Sequence, residues 1–171
     1  MVIVDVSIVS SLVGGGISAI LGAYAYYWLY TKSLRTRIID ALKNELQLNI
    51  ERIEKNIEHL HKVESGELKK AILIFPFVTK VYESVLIEDP QLFFEITQRT
   101  NGQLNEIYAE LITLNTTYNA MAFGLKHFMD AGEAIIGLIR LKKQLKDTLK
   151  ILEETYPKKR KSIGKDIKAT H

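Results

Sequence analysis

"IIDALKNELQLNIERIEKNIEHLHKVESG" spans Ile38–Gly66. The fold class turns on how its apolar residues recur. Ile39, Leu42, Leu46, Asn49, Ile53, Asn56, Leu60 and Val63 alternate spacings of three and four. That is the period of one helix face, and Ile50 and Ile57 widen the stripe enough to pack on other helices. Ser65-Gly66 ends it. Two asparagines interrupt the seam. A buried Asn there fixes register or oligomer state. At the edge of the wide stripe both would touch water, the more ordinary place for a short polar side chain.

Toward the N-terminus the pattern changes from periodic to apolar on every side. No charge occurs in the 26 residues between Asp5 and Lys32. A helix of that length measures about 39 Å, against a hydrocarbon core of ~30 Å. We therefore expect a transmembrane helix over residues 6–31, after a short external N-terminus at 1–5. A cleaved signal peptide needs a basic start and a shorter apolar run. The N-terminus has no Lys or Arg, although "SAILGA" (Ser18–Ala23) is similar to a cleavage site and leaves processing open. Tyr24, Tyr26, Tyr27, Trp28 and Tyr30 suit the headgroup layer. Lys32, Arg35 and Arg37 follow at once, and the opposite flank has only Asp5. The positive-inside rule then places the N-terminus outside and the C-terminal domain in the cytoplasm.

Small residues form two ribbons within this span. Ser10, Gly14, Ser18 and Gly22 recur every four residues, and so do Ser11, Gly15, Ala19 and Ala23. Such a face lets two helices approach closely, the small-xxx-small mode, although glycine is also simply common in membrane helices.

Toward the C-terminus the chain reads as more helix. Pro76 stands between two phenylalanines and interrupts the segment 67–99. Val78, Val81, Tyr82, Val85 and Leu86 resume helical spacing, and Asp89-Pro90 is an N-cap followed by proline at the first helical position. Asn101-Gly102 marks a turn. Leu104, Ile107, Leu111, Leu114, Tyr118, Met121, Leu125 and Phe128 define the next helix. Ala131-Gly132 then interrupts, and Ile135, Leu138, Leu141, Leu145, Leu149 and Leu152 define the last. The last two helices as one rod bent at Gly132 are the topological alternative. The expected fold is all-α: the anchor continuous with a cytoplasmic four-helix-type bundle over 32–156, its second segment broken at Pro76.

Composition agrees with that class. Hydrophobic residues make up 47% of the 171 positions and charged residues 25%, enough for a core. There is no cysteine, which excludes disulfides and thiolate metal sites. The net charge of +3 is uneven. Lys158, Lys159, Arg160, Lys161, Lys165 and Lys168 face Asp166 alone in a basic flexible tail, 157–171. That tail suits anionic lipid at ~1 kcal/mol per cation near the surface. Nucleic acid is disfavoured, because no aromatic residue follows Tyr156 to stack on bases.

"ALKNELQLNIERIEK" (Ala41–Lys55) and "IYAELITLNTTYNAM" (Ile107–Met121) resemble a loose class of small single-pass proteins of bacteria and archaea. These carry Glu-x-x-x-Asn in a juxtamembrane helix, here Glu45 and Asn49, and a later Tyr–Asn helix, here Tyr108 and Asn115. The resemblance implies architecture and no activity.

The chemistry-bearing residues are sparse. Glu58-x-x-His61 has the spacing of a di-iron ligand pair, but no second pair exists and His59 lies on another face. No phosphate loop follows a strand, and no Ser neighbours a base. We expect no catalytic, cofactor or metal site and no enzyme. The expected function is a membrane-anchored interaction or scaffold protein that self-associates or docks a membrane-protein partner. The alternatives are a structural component of a viral or cellular envelope and, third, a metal- or lipid-handling bundle enzyme.

Overall fold

The computed structural model describes residues 6–68, 74–122 and 130–157, with side chains described from Leu21 onward except at 118, 121 and 122. The fold is an all-α helical bundle. It has five helices and no strand among the described residues: α1 (Val6–Glu64), α2 (Lys80–Glu88), α3 (Pro90–Arg99), α4 (Gln103–Ala122) and α5 (Ala131–Thr155). Two compact units divide the chain, residues 1–38 and 39–171.

The second unit is built on the stripe read from the sequence. Ile39, Leu42, Leu46, Ile50, Ile53 and Leu60 of α1 are buried. So are Leu104, Ile107 and Leu111 of α4 and Leu138, Leu141, Leu145 and Leu152 of α5. Burying one such leucine contributes about 1.5–3 kcal/mol, and truncating a central one such as Leu46 to Ala costs about 2–5 kcal/mol. Leu92 and Ile96 of α3 complete the core, with α3 packed against α2, α4 and α5.

The turns follow local chemistry. Asp89 accepts the Leu92 N–H at 3.0 Å and Pro90 opens α3, the expected cap. Asn101 and Gly102 both take the left-handed conformation, at φ 51° and 78°. The last helix departs from expectation. Asp130, extended at φ −64° and ψ 128°, caps α5 by accepting the Glu133 N–H at 2.9 Å. Gly132 thus lies inside the first turn of α5 and is not the break. α4 packs against α5, with Arg140 and Glu110 paired at 2.9 Å, so the two are separate helices, not one bent rod.

Residues 74–79 are neither helix nor strand, and Pro76 lies in this run, as its missing N–H requires. The second segment is thus irregular over 74–79 and then forms α2 and α3, while residues 69–73 lie outside the described residues.

Candidate functional site

Four polar residues of α1 lie at alternating spacings along the helix: Glu45, Asn49, Arg52 and Asn56. Asn56, Arg52 and Asn49 meet the backbone of residues 74–78 in order, and Glu45 meets the start of α2. Asn56 Oδ1 accepts the N–H groups of Ile74 and Phe75 at 2.9 and 3.0 Å, and its Nδ2 donates to the Phe75 carbonyl at 2.9 Å. Arg52 donates to the Pro76 carbonyl. Asn49 Oδ1 accepts the Val78 N–H at 2.8 Å while Nδ2 donates to the Val78 carbonyl at 2.7 Å. From the other side Asn115 of α4 does the same to Phe77, at 2.7 and 2.9 Å. Each asparagine amide matches a peptide group donor to acceptor. Pro76 has no N–H to satisfy, and only its carbonyl is taken.

Glu45 closes the ladder at the start of α2. Thr79, the N-cap residue, makes no side-chain cap hydrogen bond. The Glu45 carboxylate replaces it, accepting the N–H groups of Val81 at 2.8 Å and Tyr82 at 3.2 Å. These are free donors of a helix N-terminus, where an anion is also favoured by the dipole. Tyr108 donates its hydroxyl to the same carboxylate at 2.7 Å. Its ring stacks on Tyr82 at 4.0 Å, and Phe93 meets Tyr82 edge-on at 5.5 Å. Burial, then the Glu45 charge, pushes the Tyr108 hydroxyl far above the ordinary tyrosine range, so it remains a donor. Burial raises Tyr82 as well.

This geometry overturns the expectation that Asn49 and Asn56 touch water. Both are 0% exposed. A polar residue on an apolar stripe reads alike in sequence whether water or a distant peptide group satisfies it. Glu45 and Asn49, Tyr108 and Asn115 do come together in this cluster, through Glu45–Tyr108 and through Phe77 and Val78. The sequence reading missed Arg52, whose spacing from Asn49 and Asn56 was the available signal. A buried cation has a similar duty: Lys43, 4% exposed, donates to the Tyr156 carbonyl at the end of α5.

The amides of Asn49, Asn56 and Asn115 are spent on backbone groups, and the Glu45 carboxylate on two backbone N–H groups and the Tyr108 hydroxyl. This clamp is a device for holding main chain. Among the described residues no group of three His, Asp or Glu is placed to hold a metal. Glu58 pairs with Lys62 at 3.0 Å and His61 with Glu64 at 3.3 Å, so the Glu58–His61 spacing is used in two separate exposed contacts. One open cavity of about 260 Å³ lies beside Glu110, Leu114, Asp130 and Leu138, and another of about 370 Å³ beside Lys55, His59, Leu68 and Phe75.

In the first unit, Leu21, Tyr24, Tyr26, Tyr27, Trp28, Leu29 and Tyr30 are all at least half exposed. Lys32 Nζ sits 4.6 Å from the Trp28 ring centre, and Tyr26 stacks on Tyr30 at 6.4 Å. Gly22 and Ala23 are exposed, and a methyl on Gly22 would meet nothing within 4 Å. The side chains of Ser10, Ser11, Gly14, Gly15, Ser18 and Ala19 lie outside the described residues. So do the tail residues Lys158, Lys159, Arg160 and Lys161. No helix is long and apolar enough to cross a membrane among the described residues. The expected span falls largely on residues whose side chains are not among them. Comparison with protein-family models, with curated proteins and with solved structures gives no match.

Proposed function

We propose that this chain is a membrane-anchored helical scaffold that self-associates, with the bundle displayed on the cytoplasmic side. In this reading residues 6–31 cross the bilayer, the N-terminus is outside and the basic tail contacts anionic lipid. The observation that carries it is the collar from Leu21 to Tyr30. Its large side chains point outward around α1 with at least half their surface uncovered, directly before Lys32, Arg35 and Arg37. Such exposure of contiguous apolar and aromatic surface is costly in water and favourable at a lipid interface. The closed polar cluster of the bundle supports a binding role over a catalytic one, because its groups hold the fold's own backbone.

The test is reconstitution of the full chain into lipid vesicles. The chain should float with the vesicles and resist alkaline extraction, and crosslinking should trap a homo-oligomer. Gly14→Ile with Gly22→Ile should keep insertion and lose crosslinking, since isoleucine partitions into lipid but holds two backbones apart. Complete alkaline extraction of the wild-type chain would refute the anchor. Unchanged crosslinking in the double variant would refute the small-residue contact.

A further inference from the structure

An apolar face lies beside the end of the described chain. Leu86 and Ile87 lie in the last turn of α2 and Phe94 in α3, with Asp89 alone between the two helices. They are 46%, 77% and 62% exposed. Ile87 stands two residues from buried Val85, and Phe94 two residues from buried Leu92 and Ile96. Helical rotation therefore turns Ile87 and Phe94 away from the core. Tyr156 sits against the same pair of helices. Its hydroxyl donates to Glu95, the neighbour of Phe94, at 2.8 Å, and its carbonyl accepts from Lys43. These two bonds fix the place from which residues 158–171 depart.

The departing residues suit this face in reach, charge and apolar content. Residues 158–171 extend to about 46 Å, against about 15 Å for the whole of α3. They carry six Lys and Arg against Asp166 alone, whereas residues 80–99 carry Glu83, Glu88, Asp89 and Glu95 against Lys80 and Arg99. Ile163 and Ile167 recur at a spacing of four among the cations. Exposed ion pairs contribute little singly, so burial of the apolar side chains has to fix the place and the charges the preference. We propose that residues 158–171 dock across the exposed side of α2–α3, Ile163 and Ile167 covering Phe94 and Ile87, and that an anionic bilayer surface draws them off. The lipid contact proposed above uses the same cations, so the tail serves one surface at a time. In this second part the inference rests on the membrane reading.

The chain has no cysteine, so two spin labels can be placed without background. Ser84→Cys on α2 and Ser162→Cys in the tail carry them in the full chain. The labelled chain is reconstituted into zwitterionic vesicles and diluted with unlabelled wild type, so that only distances within one copy count. Double electron–electron resonance should give a narrow distance peak. Ile87→Ser with Phe94→Ser removes the apolar contact at exposed positions where folding is not at stake. That pair should lower the ratio of docked to undocked tail at least about tenfold. Ile136→Ser with Ile139→Ser, comparably exposed on α5, should leave the peak intact. A broad distribution in the wild-type chain, or equal loss in both double variants, would overturn docking. Anionic vesicles should abolish the peak. A peak that persists there supports docking and overturns its release by lipid. Flotation of the same samples reports the anchor separately: a chain that stays behind the vesicles and still shows the peak keeps docking and loses the membrane reading.

Discussion

Asn49→Asp should be tolerated in acid and damaging at neutral pH, and the comparison with Asn49→Ala turns that into a test of the clamp. Asn49 is fully buried and reads Val78 in both directions, accepting its N–H at 2.8 Å and donating to its carbonyl at 2.7 Å. Alanine leaves both peptide groups without partners. Each such loss costs about 1–3 kcal/mol, and because Val78 is only half-buried, water recovers part of it. The expected cost is about 2–4 kcal/mol. Aspartic acid, when protonated, still donates and accepts, and should stay within about 1 kcal/mol of wild type. Ionised, it has no donor, sets an anionic oxygen against the Val78 carbonyl and buries a charge, for about 3–5 kcal/mol. The folded-state pKa of the introduced carboxyl must then lie above its unfolded value of about 3.9. The folded state holds the proton more tightly, so the deficit is absent below about pH 4 and grows as pH rises from the unfolded toward the folded pKa. The Ala variant has no such group, which cancels the protein's other titrations. Urea midpoints by circular dichroism at pH 4, 5.5 and 7 should place Asp above Ala in acid and below it at neutrality. Parallel behaviour of the two variants at every pH would refute the two-way amide contact.

The tyrosine pair should separate in the same assay. Tyr108→Phe removes a 2.7 Å bond to a buried carboxylate and should cost about 1.5–3 kcal/mol, whereas Tyr82→Phe removes a 3.3 Å contact to Asn105 and should cost about 0.5–1.5 kcal/mol. Equal costs would mean that Glu45 does not depend on Tyr108. Asp89→Ala should lower stability by about 1 kcal/mol through loss of the α3 cap, with Asp89→Asn recovering most of it; an unchanged midpoint would mean that Pro90 alone starts the helix.

Local and periodic features were legible in the sequence. The three-four recurrence from Ile39 to Leu60 gave the buried face of α1. Ser65-Gly66 gave its end, and Asp89-Pro90 and Asn101-Gly102 gave the start of α3 and the turn before α4. Each is decided within a few residues, by the helical period, by a cap or by a left-handed conformation, so the chain's own neighbours are sufficient evidence. The start of α5 was misplaced by one feature, because Gly132 reads as a breaker while the Asp130 cap two residues earlier is what begins the helix. The polar cluster was a different matter. Glu45, Asn49 and Tyr108 were visible as residues, but Glu45 reaches Tyr108 across 63 positions and Asn49 reaches Val78 across 29. No period links such partners. An asparagine on an apolar stripe is satisfied equally well by water or by a peptide group, and only the tertiary fold, which lays residues 74–78 against Asn49, Asn56 and Asn115, removed the water and decided which.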